Sequence, residues 1–317
     1  MLLSFVIGCY RSEKTISSVV DEIRNTVNSR KEYDYEIILV NDHSPDNVMV
    51  VLRELANNDE KIIVLNLAKN VGKAAAVLAG CSRANGQCVI VLDDDGQCPL
   101  DHLWELIKPL EEGHDMAIAD YPVKKQSLFK NFGSKVNHVF MNWMLKQPKG
   151  IRFSNFNARQ NYIIKQMCRY QNPYPNLQGL ALHATNDIVM VPMEERERKV
   201  GKSGYTFWRS FKLFVNGVTG FSVVPLRLAS VLGVVMSFAG FLMIIWFVIK
   251  KVLNPNILPG YTSILIFLFF IGGIIMLLLG IIGEYLGRVY ISINNIPQYV
   301  IKEEINNKTE NNKSSKQ

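Results

Sequence analysis

The sequence predicts an α/β domain, a mostly parallel sheet flanked by helices, followed by a C-terminal hairpin of two membrane-crossing helices. Three observations predict it. Over residues 2–119, short apolar runs alternate with segments whose apolar residues recur at helical spacing. Unusual polar residues stand directly after several of those runs, where parallel sheets bind ligands. Farther on, Leu228–Ile249 and Thr262–Ile282 run for 22 and 21 residues without a charge.

Leu2–Gly8 is strongly apolar and reads as a buried first strand; MLLSFVIGCY lacks the basic n-region of a signal peptide and runs straight into Arg11, Glu13 and Lys14. Thr15–Ser29 carries Ile16, Val19, Val20, Ile23 and Val27 on one helical face. Glu36–Val40 is a strand ending in turn chemistry, NDHSPD. Val48–Ala56 is a helix, Ile62–Leu67 a strand and Lys73–Ala84 an Ala-rich helix. Cys88–Leu92 is a strand ending at three aspartates. Pro99–Glu112 is a helix with Pro at its start and Gly113 past its end, and Met116–Ala119 is a further strand.

The whole chain is 48% hydrophobic and only 20% charged, with mean hydropathy +0.09. Soluble domains carry about 25% charged residues, so apolar residues are concentrated in the two uncharged stretches. Disorder, collagen and coiled coil are excluded as the bulk class. Five cysteines with no CxxC pair argue against a disulfide framework or a zinc site, and for reduced thiols facing the cytosol. A net charge of +7 suits an anionic partner: phosphate or acidic lipid. No basic stripe interleaved with aromatics points to nucleic acid. The five histidines do not cluster.

At 1.5 Å per residue each uncharged stretch reaches roughly 30 Å, the thickness of a bilayer core. Small residues (Gly233, Ala239, Gly240; Gly272, Gly273, Gly280) suit close helix packing and permit self-association as a homo-oligomer. Arg209, Lys212, Arg227, Arg288 and Lys302 flank the outer ends, and only Lys250 and Lys251 lie in the loop. The balance puts both termini in the cytoplasm. The expected division is a catalytic domain over 1–195, a cationic loop and interfacial segment over 196–225, two crossings within 226–283, and a cytoplasmic, partly disordered tail over 284–317. The tail past Pro297 is polar, which reads as disorder.

The strongest chemical signal is Asp93-Asp94-Asp95-Gly96-Gln97 after a buried strand. Three adjacent carboxylates repel one another, and a divalent cation resolves the conflict. In an extended segment Asp93 and Asp95 share one direction while Asp94 points elsewhere. A solvated acidic turn is the plain alternative. Asn41-Asp42-His43-Ser44 puts a carboxylate where it can accept from a nucleobase or ribose; a turn or capping aspartate fits equally. Ala68-Lys69-Asn70-Val71-Gly72-Lys73 offers close backbone approach at Gly72 and a cation at Lys73. No P-loop pattern is present.

These motifs, in this order, resemble the family 2 glycosyltransferases of the GT-A fold (Rossmann-like). Within them the chain is similar to the polyprenyl-phosphate glycosyltransferases: dolichyl-phosphate mannose synthase and the bacterial two-transmembrane-helix undecaprenyl-phosphate sugar transferases. VNDHSPD stands for the family's VDDGSxD, VLDDDGQCP for LDADLQxPP, LAKNVGKAAAVLAG for its S-R-N-x-G-K-like run, and ERERKVGKSGYTF for R-x-x-G-x-S-K/x-Y. The hairpin ends in Gly283-Glu284-Tyr285-Leu286-Gly287-Arg288, typical of the bacterial branch. The likeness spans roughly residues 2–290.

The resemblance implies a membrane-bound, inverting transfer of a sugar from a nucleotide-sugar donor to polyprenyl (undecaprenyl) phosphate, for the cell envelope, at the cytoplasmic face of the inner membrane. Tyr10, Asp42, Asn70, Lys73, Asp93 and Asp94 would contact the nucleotide sugar. Asp93, Asp95 and Gln97 would hold Mg²⁺ or Mn²⁺, and Asp93, Asp95 and Arg198 would carry catalysis. Arg198, Lys202 and Ser203 would meet the acceptor phosphate. The chain departs from the pattern at Gly8-Cys9-Tyr10-Arg11-Ser12-Glu13, at Cys98, at Lys202 and Gly204, and over Ser154–Arg159, where the familiar Phe-Arg run is missing.

A lipid monophosphate has a second pKa near 6, so it attacks as a dianion without a general base. Six cations in Glu194–Lys212 (Arg196, Arg198, Lys199, Lys202, Arg209, Lys212) against three glutamates suit that phosphate, or acidic lipid. Two alternatives stand beside this. One is transfer to a glycolipid hydroxyl, with Asp94 or Asp120 as base. The other is a non-catalytic membrane protein that binds nucleotide sugar.

Overall fold

β1 (Leu2–Cys9) is buried along most of its length because LLSFVIGC offers apolar side chains to both faces of a sheet. In the computed structural model it pairs in parallel with β2 (Asp34–Asn41) on one side and β4 (Cys88–Leu92) on the other. The structure describes residues 1–121, 150–172, 175–194, 196, 224–253, 260–294 and 297–306. The chain divides into two units, Met1–Ser210 with Asn295–Gln317, and Phe211–Asn294.

In the first unit β3 (Ile62–Leu67) extends the sheet beyond β2, also in parallel. Helices α1 (Ile16–Asn28), α2 (Val48–Asn58) and α4 (Leu103–Glu111) pack on one face. Their apolar stripes meet Leu3, Phe5, Ile7, Leu39 and Ile90 in one core. Helix α3 (Lys73–Cys81) covers the other face, where Gly80 lies against Val6 and Val40. The expected strands and helices of residues 2–119 are all present, with bounds shifted by a few residues.

The expected sequential order breaks after β4. β5 (Met116–Asp120) does not join β4. β6 (Asn157–Gln160) lies between them, antiparallel to both. Its sequence, NARQ, has none of the β-branched or aromatic residues that mark strands. Helices α5 (Asn161–Met167) and α6 (Leu177–Ala184) follow, and β7 (Ile188–Pro192) completes that side by pairing in parallel with β5.

The reading of everything past Pro297 as disordered tail is corrected. β8 (Ile301–Ile305) pairs antiparallel with β3, giving the order β7-β5-β6-β4-β1-β2-β3-β8. Polar composition misled because the charges on this strand alternate between two covered faces. Glu303 pairs with Arg53 of α2 at 2.5 Å, and Glu304 pairs with Arg83 beyond α3 at 2.8 Å. Ile305 packs on the core, and Asn306 Nδ2 donates to the carbonyls of Ala56 and Ile62. Residues 307–317 lie outside the described residues.

At the other end of the strands, Gly86 sits against β1. A methyl group there would meet Ser4 Oγ at 2.6 Å and Leu2 O at 2.7 Å, and Gly86 N–H already donates to Ser4 Oγ. Backbone cannot yield as a flexible side chain can, so Gly86→Ala should cost about 1–3 kcal/mol by overpacking. Urea unfolding that leaves the midpoint unchanged would contradict this.

The second unit holds α7 (Val224–Leu253) and α8 (Tyr261–Ile293). Windows within them, Leu226–Met243 and Phe270–Ile293, are long and apolar enough to cross a membrane and are almost entirely unburied. Phe238, Trp246, Leu268 and Met276 are each more than 60% exposed, a patch far larger than water-soluble surfaces carry. α8 runs beyond the expected end at Ile282, through Gly283 and Gly287. Each interior glycine costs only about 1 kcal/mol of helix propensity, too little to stop so apolar a helix.

Candidate active site

The carboxyl ends of β1, β2, β3 and β4 converge, and each contributes a short loop. From β1, Tyr10 is exposed and Arg11 takes a positive φ of 59° with its guanidinium 5.6 Å from the Tyr10 ring centre. Arg11 N–H donates to Ser44 Oγ at 2.8 Å and Glu13 N–H to Asp46 at 3.1 Å. The β1 loop is thereby fastened to the NDHSPD turn after β2.

Asp42 is 4% exposed, and its two carboxylate oxygens accept the N–H groups of Val71 (2.7 Å) and Gly72 (3.0 Å). Asn70 Nδ2 donates to the Asp42 carbonyl at 2.9 Å. Asp42 thus shapes the loop that opens α3, a role that both the capping and the nucleotide readings of the sequence accommodate. Burial raises its pKa above the ordinary value, and the two N–H donors offset this only in part.

The strand β4 stops at Leu92, so the three aspartates line a turn rather than an extended segment. Gly96, at φ +74°, makes that turn possible. The three carboxylates find different partners. Asp93 Oδ1 accepts from Lys73 Nζ, and Asp93 Oδ2 accepts from Asn155 Nδ2 at 2.8 Å. Asp94 turns inward and accepts Tyr10 N–H at 3.0 Å. Its pKa is raised, chiefly by burial and further by the charges of Asp93 and Asp95. Asp95 Oδ1 accepts Gln97 N–H at 3.2 Å. Next to the turn, burial pushes the Cys98 thiol up to about 12, which leaves it a neutral packing group.

Asn155 escaped the sequence reading because it lies 62 residues from Asp93 and in the stretch where the family pattern fails. Arg196 was counted among cations awaiting a phosphate. Its guanidinium is already paired with Glu22 at 2.6 Å and Asp101 at 2.5 Å. Asp120, a candidate base for a hydroxyl acceptor, pairs with Arg152 at 2.9 Å. Arg198, Lys202 and Ser203 lie outside the described residues.

Among the described residues no three His, Cys, Asp or Glu side chains converge to cage a metal. A cation that works on a nucleotide needs no such cage, because one or two carboxylates suffice and the substrate's phosphates complete the shell. Asp95 and Gln97, two residues apart on a half-buried glycine turn, are oxygen donors of that kind. The residues present therefore fit Mg²⁺ or Mn²⁺ held jointly with a ligand.

Acids, a lysine and loop amides gather at the carboxyl ends of a parallel sheet, the place where such sheets bind ligands. Residues 4–170 match Glycosyl transferase family 2. The chain belongs to that family. It is a glycosyltransferase, and the expected α/β fold, a mostly parallel sheet flanked by helices, is the fold it has. Residues 224–289 match the GtrB C-terminal hairpin, the segment that forms α7 and most of α8. CsbB of Bacillus subtilis (strain 168), which carries the name glycosyltransferase, is 32% identical over 95% of this chain and 92% of its own. The SfII prophage-derived bactoprenol glucosyl transferase of Shigella flexneri is 27% identical over 95% and 98%. The undecaprenyl-phosphate 4-deoxy-4-formamido-L-arabinose transferase of Proteus mirabilis (strain HI4320) is 29% identical over 98% and 95%.

Proposed function

We propose that this family 2 glycosyltransferase moves a sugar from a nucleotide donor to a polyprenyl phosphate at the cytoplasmic face of the cell membrane, with Mg²⁺ or Mn²⁺ held by Asp95 and Gln97. The observation that carries this reading is one chain joining a carboxylate turn at the sheet's ligand end to a hairpin apolar enough to cross a bilayer. Relatives aligned over nearly their full length, named for bactoprenol and undecaprenyl phosphate, support the lipid acceptor. Both ends of the hairpin rejoin a single unit, so any crossing it makes returns to the side it left.

When bound, the cation neutralises the departing nucleoside diphosphate. The chain's own groups do the rest. Lys73 and Asn155 fix Asp93 from both oxygens, and Asp42 holds the Val71–Gly72 amides in place beside the donor. The acceptor phosphate is a dianion near neutral pH and attacks directly, with inversion. The hydroxyl-acceptor alternative needs a base, and both carboxylates available for it are engaged, Asp94 with Tyr10 and Asp120 with Arg152.

Full-length protein in detergent, given radiolabelled nucleotide sugars, Mn²⁺ and undecaprenyl phosphate, should yield label in the organic phase. Label on a glycolipid hydroxyl instead would overturn the phosphate acceptor.

Acid should weaken donor binding before it unfolds the domain. Asp42 and Asp94 both have raised pKa values, so they take up protons above their ordinary 3.8. The folded state then binds those protons more readily than the unfolded chain, and protonation at these two sites favours the fold. Donor binding needs Asp42 ionised to accept two N–H groups, and it is lost as pH falls through the raised value. Calorimetry with a nucleotide sugar, alongside circular dichroism, checks this: binding and secondary structure lost at the same pH would contradict it.

A further inference from the structure

We infer that Arg196 is a positioning residue for the metal-binding turn, acting through Gln97 rather than on a phosphate. This rests on the reading of Gln97 as a metal ligand. The Arg196 guanidinium spans Glu22 of α1 and Asp101 in the single turn Leu100–His102, with Nη1–Oε1 at 2.6 Å and Nη2–Oδ1 at 2.5 Å. One cation between two carboxylates has no charge left over for an incoming phosphate.

The backbone of the same residue makes a reciprocal pair with the turn. Arg196 N–H donates to the Gln97 carbonyl at 3.2 Å, and Gln97 Nε2 donates to the Arg196 carbonyl at 3.2 Å. The two residues are 99 positions apart, so nothing local holds them together. An amide's NH₂ and carbonyl oxygen are held rigidly on one planar carbon, about 120° apart. Committing Nε2 to Arg196 therefore fixes the direction of Oε1, the amide atom a cation takes. The clamp on Glu22 and Asp101 holds the Arg196 backbone where this exchange is possible. Asp101 is well exposed, so the ion pairs add little to stability while still setting geometry.

The test is a titration of full-length protein in detergent with Mn²⁺ in the presence of uridine or guanosine diphosphate, free Mn²⁺ being read by electron paramagnetic resonance. Groups that orient a metal's ligands change affinity by 10–100-fold. Arg196→Met should weaken Mn²⁺ binding about 10-fold, with the melting temperature and the KM for undecaprenyl phosphate little changed. Glu22→Gln combined with Asp101→Asn should do the same, and Arg196→Lys should recover part of the loss. An unchanged Mn²⁺ affinity with a raised lipid-phosphate KM would overturn the inference and return Arg196 to the acceptor. Mn²⁺ affinity and melting temperature falling in step across all variants would reduce Arg196 to a structural role. If Asp95→Ala loses Mn²⁺ while Arg196→Met keeps it, only the Arg196 inference falls. If the wild type takes up no Mn²⁺ with either nucleotide, the metal reading of Gln97 falls first.

Discussion

Asp95→Ala should lower sugar transfer by about 10²–10³-fold, because losing a ligand of the cation that would neutralise the departing diphosphate removes a preorganised opposing charge. Its two neighbours are committed elsewhere. Asp94 faces inward onto Tyr10 N–H, and Asp93 is held between Lys73 and Asn155. Asp95 is the acid nearest Gly96 and Gln97 on the half-buried turn. Asp94→Asn should therefore act mainly on the β1 loop and cost less. Asp93→Asn should free Lys73 and shift donor KM more than turnover. Initial rates of lipid-phosphate glycosylation for the three variants decide this. Equal losses at all three positions would mean that the turn acts as a unit, with no special ligand at Asp95.

Arg159→Met should stabilise the first unit, by about 1–4 kcal/mol if it follows other buried charges replaced by apolar residues. Arg159 lies on β6 with 2% exposure, and its Nε and Nη1 have no hydrogen-bond partner. Among the described residues no carboxylate pairs with it. Burial brings its pKa down to about 10, against which the nearby Cys81 acts only weakly. At neutral pH the guanidinium is still charged, so the folded state carries most of the desolvation penalty. For a domain of this size the gain should raise the melting temperature by several degrees. A fall of similar size would mean that the guanidinium has a partner whose loss is costly.

The first half of the fold was legible because its strands are mostly buried on both faces and helices α1, α2 and α4 on one. Runs such as FVIG and VIVL, and the spacing of Ile16, Val20, Ile23 and Val27, carry that information directly. β6 and β8 were not legible. NARQ and IKEEI owe their strand form to the neighbours they pair with, β4, β5 and β3, and these are tertiary partners no local pattern encodes. The site divides the same way. The aspartate run, Asp42 and Lys73 announced themselves by their position after apolar strands. Asn155 did not, since it reaches Asp93 only through the fold. The ion pairs of Arg196 with Glu22 and Asp101 were also not legible, because a tally of cations cannot tell which are already paired.

Completing the sheet with a strand that follows the hairpin has a consequence for biosynthesis. β3 keeps a bare hydrogen-bonding edge until the ribosome has released the residues of β8, and those residues emerge only after both long helices have been made. Were the hairpin to enter a bilayer and leave its last segment on the far side, Ile301–Ile305 could not reach that edge. Closing the seam between β3 and β8 therefore requires the segment after the hairpin to lie on the same side of any membrane as β3, and until it does β3 offers an unpaired strand edge.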